Sequence, residues 1–314
     1  MTRPVLVVGG AGYIGSHVVR RLLVASRDVV VLDDLSTKSH HRTTRNRLYV
    51  GDFFDPVLVG SIIAEHGIDT IIHAAARHHP IQRMSSTAAA FAGFVKAGVS
   101  KVIFTSSCAV YSPSLAGHPV DETCTQNPIS TYGAEKLAVE RLLFSLSQTS
   151  ALRCVVMRCF NVGGAYHGHG FSGSTGDPSR LINMASEVAV GQRVHVPVFG
   201  SDLPTCDGTS VRDYVHVDDV ARAYENAVSY LDGGGRSVVL NCGSGQGHSV
   251  REVLRAVEIE SGALVPAHFL ARRPHELPFV VAHNQRIRET LGWSPRKETL
   301  RAIVRSTLAS LRAV

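Results

Sequence analysis

A doubly wound α/β fold on a parallel sheet follows from three features of this 314-residue sequence. Short β-branched runs alternate with longer helical patterns through the first half. A glycine-rich turn joins the first run to the first helical pattern. The runs lie too far apart for hairpins, so crossovers must connect them. The predicted strands are 5–8, 29–32, 48–50, 70–73, 102–105 and 154–158, with a further strand at 238–240. Helical patterns fall at 14–23, 57–65, 88–97 and 132–146.

After Asn161 the texture changes to a Gly-, Pro- and His-rich stretch, VGGAYHGHGFSGSTGDP. This predicts a first domain over 1–162, with a returning strand near 237–242, and a smaller C-terminal region over 163–314. Within the latter, Ser249-Val-Arg-Glu252 matches a capping box at a helix start, and Leu291-Gly-Trp-Ser-Pro295 reads as a stop before a final amphipathic helix. Loop structure is expected over 166–177.

Composition narrows the function classes. Apolar residues make up 44% and charged residues 18%, which excludes wholesale disorder. The apolar runs are far too short to span a membrane. Strand-like sequence starts at Val5, leaving no room for a signal peptide, so a cytoplasmic protein is expected. The net charge of +6 is dispersed, and its densest patch, 38–47, has no interleaved aromatics. Neither nucleic acid nor a membrane is expected as partner, whereas a small phosphate-bearing ligand suits the charge. The six cysteines form no CxxC pair and read as reduced thiols, with no metal site.

The run Val5–Val8 leads into Gly9-Gly-Ala-Gly12-Tyr-Ile-Gly15 and then a helical pattern. Glycines at this spacing make a tight turn and let backbone approach a pyrophosphate at the positive end of the first helix. With both flanks present, this is the dinucleotide fingerprint of a Rossmann sheet. Asp33 closes the second strand, 18 positions after Gly15. A carboxylate there accepts ribose hydroxyls and repels a 2′-phosphate, so NAD is expected rather than NADP. Lys38 and Arg42 lie beyond the acid.

Tyr132 and Lys136 stand four apart on one helical face. A phenol titrates near ~10, and bringing it to neutrality takes about 4 kcal/mol of preferential phenolate stabilisation. A contacting ammonium and a cationic nicotinamide are expected to supply it. Ser107 follows the predicted strand 102–105, at the carboxyl end where such sheets hold ligands, and its hydroxyl can relay a proton.

Together Gly9, Gly12, Gly15, Asp33, Ser107, Tyr132 and Lys136 resemble the extended short-chain dehydrogenase/reductase superfamily. Within it, the segment FGSDLPTCDGTSVRDYVHVDD over 199–219 is similar to the UDP-glucose 4-epimerase family, as are GGAGYIGSH, RCFNVGGA and ARRPHELP. The resemblance covers nearly the whole chain. It implies an isomerase that inverts C4 of a UDP-hexose through a 4-keto intermediate, with Tyr132 as base, Lys136 as its electrostatic partner and Ser107 as relay. For NAD it implies contacts from Gly9, Gly12, Tyr13, Ile14, Gly15, Asp33, Asp34, Asp52, Phe53, Ala75, Tyr132, Lys136 and Phe160. For the UDP-sugar it implies Ser107, Asn161, Arg180, Val198, Phe199, Arg212, Arg273, Glu276 and Val280. Asn161, Arg212 and Arg273 match diphosphate-holding positions, and Phe199 matches the residue that packs on uracil.

The chain departs from the family pattern in several places. Only 34 positions separate His73 from Ser107, so the crossover is shortened, though still long enough for one helix. In the family this helix helps form a homodimer. Arg77, His78 and His79 replace a lysine, Ala109 replaces a hydroxyl residue, Arg180 an asparagine, and Glu276 an aspartate near the uridine ribose. Val280 replaces a bulky tyrosine and leaves room for an N-acetyl group. A nucleotide-sugar dehydratase would need a carboxylate pair beside the serine, whereas here Cys108 and Ala109 follow it. A catalytically impaired NAD-binding paralogue is the remaining alternative.

Overall fold

The computed structural model describes residues 3–36, 47–75, 84–112, 117–168, 171–172, 180–273, 276–297 and 299–312. The basic patch around Lys38 and Arg42, the segment 77–79 and much of 166–177 fall outside them.

The N-terminal half holds β1 (Val5–Val8), α1 (Tyr13–Val24), β2 (Val29–Asp33), β3 (Leu48–Val50), α2 (Pro56–His66), β4 (Thr70–His73), α3 (Met84–Lys96), β5 (Lys101–Ser107), α4 (Thr131–Thr149) and β6 (Arg153–Cys159). Next come β7 (Asn161–Gly163), β8 (His167–Gly168), β9 (Phe171–Ser172), α5 (Leu181–Ala189), β10 (Val196–Phe199), β11 (Val211–His216) and α6 (Val217–Asp232). The chain continues through β12 (Val238–Cys242), β13 (Gly247–Ser249), α7 (Val250–Ser261), β14 (Ala267–Leu270), β15 (Phe279–Val280), α8 (Gln285–Leu291) and α9 (Leu300–Arg312).

Seven strands form one sheet in the order β12-β6-β5-β4-β1-β2-β3, each neighbouring pair parallel. β1, β2 and β4 are buried at every position, as strands covered on both faces must be, and their sequences are correspondingly apolar. One face packs Val18, Val19 and Leu22 of α1 with Tyr224 and Val228 of α6 and with Trp293. The opposite face packs Ile62 and Ile63 of α2, Phe91 and Phe94 of α3 and Leu143 of α4. The strand expected near 237–242 is β12, added at the sheet edge beside β6.

Helix ends follow side-chain chemistry. Asp55 accepts from Val57 N and Leu58 N ahead of Pro56, and Gly67 closes α2 in the left-handed region at φ 61°. Ser130 Oγ accepts from Gly133 N at 3.1 Å and starts α4. The capping box at Ser249 and Glu252 is present in both directions.

β5 and β6 both extend beyond the predicted spans, so Ser107 is the last residue of β5 itself. Among its described residues, the shortened crossover carries the helix expected of it, α3. Unforeseen are the short pairings of the C-terminal half. β11 pairs with β7, β13 and β15, and β10 pairs with β14. A third core of Ile182, Val196, Tyr214, Val253, Val257 and Val304 supports them.

Candidate active site

The glycine turn sits where β1, β2 and β4 end. Its geometry explains the residue type. A Cβ on Gly15 would lie 2.0 Å from the Gly9 carbonyl oxygen, and one on Gly9 would lie 2.6 Å from Ala75 N. Gly9 also has φ 76°, the left-handed region. By contrast, a Cβ on Gly12 would meet only Gly9 O, at 3.3 Å. α1 begins at Gly12 without a side-chain cap or an acid in its first turn, which leaves its positive end suited to an anion.

Asp33 is 7% exposed at the end of β2. Ala11 N donates to its Oδ2 at 2.9 Å and Leu35 N to its Oδ1 at 2.9 Å, so the carboxylate is held between the glycine turn and the strand end. Each oxygen keeps further acceptor capacity for a diol. Asp34 and Asp52 cap their own loops, accepting from Ser36 N and Phe54 N. Phe53 is buried with its ring 4.6 Å from that of His73, and Tyr13 donates to Gly164 O at 2.6 Å beside Ile14. The open turn, the bare helix start and the buried carboxylate fit an NAD pyrophosphate and ribose.

Ser107 ends β5 and caps a short helical turn over Cys108–Val110, Ala109 N donating to its Oγ at 3.2 Å. Tyr132 lies in the first turn of α4, where its phenol feels the nearby Ser107 hydroxyl, which acts to lower its pKa. Lys136, one turn on, is 5% exposed, its Nζ 5.7 Å from the centre of the Tyr132 ring and 4.9 Å from that of Phe104. The three expected residues therefore meet at the carboxyl end of the sheet.

Their electrostatics differ from the simple expectation. Burial raises the Tyr132 phenol above its ordinary value, opposed by the Ser107 hydroxyl and the Arg180 charge. Burial also lowers Lys136 to about 8, against the effects of Cys159, Glu135 and Glu140. Sequence spacing places Lys136 beside the phenol. It cannot register that both groups are desolvated together.

Apart from Ser107, the predicted sugar-nucleotide residues lie on the C-terminal half, and the charges of Arg180 and Arg212 are felt at Tyr132 and Cys108 respectively. Val280 on β15 pairs in register with Arg212 on β11 and packs with Tyr111 and Phe160 in a small apolar cluster that Cys108 also touches. Arg212 Nη2 donates to Glu276 Oε1 at 2.6 Å. The Arg273 guanidinium lies 3.8 Å from the centre of the Phe199 ring, next to buried Val198 on β10. Asn161 is exposed at the start of β7. Arg180 donates to the Val162 carbonyl at 2.7 Å with its guanidinium 5.3 Å from the Tyr13 ring, so it sits between the two halves of the site.

Sequence reading missed the polar layer beneath this centre, formed by Ser106, Tyr111, Glu122, Glu140, Arg158 and Asn241. A signal was available: Glu140 continues the Tyr132–Lys136 spacing by one more turn. Missed too is Asp213, fully buried on β11, which accepts from Ser244 N, Gly245 N and Ala282 N and pins the loops after β12 and β15. Among the described residues no group of His, Cys, Asp and Glu could hold a metal ion, and no helix is long and apolar enough to cross a membrane.

Residues 5–243 match the NAD dependent epimerase/dehydratase family, and the chain belongs to it. The UDP-glucose 4-epimerase of Azospirillum brasilense is 38% identical over 322 residues, covering 99% of this chain and 92% of that protein. That of Lacticaseibacillus casei is 35% identical, covering 96% and 94%. Among solved structures, the Stenotrophomonas maltophila UDP-glucose-4-epimerase, with bound NAD and formylated UDP-arabinopyranose, superposes with a TM-score of 0.88 at 33% identity, covering 99% of this chain and 98% of the other.

Proposed function

We propose that this protein is an NAD-dependent epimerase that inverts C4 of a UDP-hexose, interconverting UDP-glucose and UDP-galactose. The observation that carries this reading is the meeting of Ser107, Tyr132 and Lys136 at the carboxyl end of the sheet that carries the dinucleotide turn. Bound NAD supplies the acceptor, and later the donor, of the C4 hydrogen.

The chain's own residues handle the proton and the orientation. The Tyr132 oxygen removes the proton of the sugar's 4-hydroxyl, with Ser107 Oγ as relay, and returns it after the 4-ketone has turned in the pocket. The Lys136 ammonium stabilises the phenolate and would hold the nicotinamide ribose of bound NAD. Arg212, Arg273, Asn161 and Arg180 receive the diphosphate, where a guanidinium fork suits paired oxygens. Phe199 offers a face to uracil, and Glu276 lies near the uridine ribose. Residues 1–162 with β12 then serve the cofactor, and 163–314 serve the nucleotide sugar. A dehydratase is poorly served, because the residues after Ser107 carry no carboxylate.

Two finer readings accompany this one. Six free thiols suit a reducing compartment, the cytoplasm. A homodimer in which α3 takes part rests on the family resemblance, and sedimentation of the purified protein tests it.

The central test is incubation with UDP-galactose, reading UDP-glucose by chromatography. Interconversion without net cofactor reduction is expected. Tyr132→Phe should abolish turnover while NAD content and melting temperature hold. Full activity in that variant removes Tyr132 as base, and no interconversion by the native protein removes the assignment.

A further inference from the structure

Tyr132, Lys136 and Glu140 recur every four residues along α4, so they share one face of the helix. The first two reach the reaction centre. Glu140, 3% exposed, does not, and its carboxylate is engaged on every side. It accepts from Ser106 Oγ on β5. It also takes Arg158 of β6 through both Nε, at 3.1 and 3.2 Å, and Nη2, at 2.7 Å.

Ser106 and Arg158 are register partners on the two neighbouring strands. The next pair in that register is Ser107 and Cys159. One carboxylate thus ties the helix to both strands one residue before the catalytic serine. Arg158 extends the tie, donating from Nη1 to the Tyr111 hydroxyl at 3.0 Å, which in turn donates to Asn241 Oδ1 at 2.6 Å on β12. The layer therefore runs from α4 to the sheet edge directly beneath the site.

We propose that Glu140 is a positioning residue for the reaction: it clamps α4 onto β5 and β6 in the register that sets Tyr132 against Ser107, and it supplies the buried counter-charge for Lys136. The inference rests on reading Tyr132 and Lys136 as the proton-handling pair. The charged and titratable groups around Lys136 are Tyr132, Glu135 and Glu140 on its own helix and Cys159 on β6, with Arg158 beyond Glu140. Of these, Glu135, Glu140 and Cys159 favour the ammonium. Without the Glu140 charge, burial and the stranded Arg158 cation both push Lys136 toward its neutral form.

The test compares the native holoenzyme with Glu140→Gln, Ser106→Ala and the paired variant Glu140→Leu/Arg158→Met. The last replaces the whole ion pair by apolar groups of similar size, which folds preserve better than a half-removed pair. Three quantities are read: melting temperature with NAD content, the pH profile of epimerisation, and the pH midpoint of Lys136 in competitive acetylation. Glu140→Gln should lower kcat at least about tenfold with KM within about twofold. It should move the alkaline limb and the Lys136 midpoint down by about one pH unit or more. The paired variant should melt near the native temperature yet show shifts in the same direction, because the Glu140 charge lies one helical turn from Lys136. Ser106→Ala, which keeps the carboxylate, should lose only a few-fold in kcat.

A folded paired variant with native midpoint and native pH profile overturns the inference and leaves Glu140 as a purely structural residue. Native protein that fails to turn over any UDP-hexose, while the Lys136 midpoint still falls on loss of Glu140, overturns the functional reading and supports Glu140 as the counter-charge of Lys136.

Discussion

Arg212 on β11 and Glu276 ahead of β15 are joined at 2.6 Å, so one cation of the proposed diphosphate site is already held by a carboxylate of the same site. Both side chains stay partly exposed, at 17% and 18%, and a pair in that setting contributes about 0–1 kcal/mol to stability. The arginine's larger contribution is to binding, where a charge-assisted bond to phosphate is worth about 1.5–3 kcal/mol. Arg212→Ala should therefore raise KM for a UDP-hexose by roughly 10- to 100-fold with a nearly unchanged melting temperature. Steady-state kinetics beside a thermal melt decide it, and an unchanged KM removes Arg212 from the substrate site.

The glycine turn makes a second, sharper distinction. An alanine at position 15 would drive its Cβ to 2.0 Å from the Gly9 carbonyl oxygen, a backbone atom that cannot rotate aside. An alanine at position 12 would approach the same oxygen only to 3.3 Å. Gly15→Ala should cost about 1–3 kcal/mol of stability as well as NAD. Gly12→Ala should fold and melt normally but purify with less NAD, since its methyl occupies space that the pyrophosphate needs. Equal effects on melting from the two variants would contradict the geometry.

Much of this was legible in the amino-acid order. The strands and helices of the first half carry strong periodicity, and the glycine spacing, Asp33 and the Tyr132–Lys136 pair are local patterns. What periodicity could not reveal is long-range pairing of very short strands, such as β15 of two residues against β11. Nor could it place Arg273 on Phe199, 74 positions away in the chain, 3.8 Å from the ring centre. Glu140 was visible at the right spacing, yet an acid in a helix reads as solvated until its neighbours are known. The raised Tyr132 phenol likewise depends on burial, a property of the assembled site.

His216 gives a pH dependence of stability. It is fully buried at the start of α6, its Nδ1 accepting from Asp218 N at 3.1 Å and its Nε2 facing Ser306 Oγ at 3.0 Å. Burial lowers its pKa to about 4, so the imidazole is neutral in the folded protein. The unfolded chain, titrating near ~6.5, binds the proton first as pH falls. The contribution is thus intact above about pH 6.5 and is lost progressively down to about pH 4, at most about 3 kcal/mol. Melting temperature should decline across that window, and His216→Asn, which retains a cap acceptor without titrating, should flatten the decline. An identical slope in the variant assigns the acid sensitivity elsewhere.

Val280 concerns substrate choice. It lies on β15, 7% exposed, within the apolar cluster that Cys108 touches just after Ser107, and its strand is registered on Arg212. A side chain there borders the cluster that follows Ser107 and, through the β11–β15 register, the proposed phosphate-binding arginine, and the proposed hexose site is the space beside it. Tyrosine at this position would add an aromatic ring to that space, whereas valine leaves it free for a C2 substituent. The protein should accept UDP-GalNAc as well as UDP-galactose. Val280→Tyr should reduce kcat/KM for the N-acetylated sugar at least about tenfold while changing that for UDP-galactose by less than about threefold, since steric rejection acts on the added group alone. The ratio of the two kcat/KM values is the measurement. A parallel loss on both substrates would show that the tyrosine disturbs β15 and its pairing with Arg212, leaving the pocket's size without influence on choice.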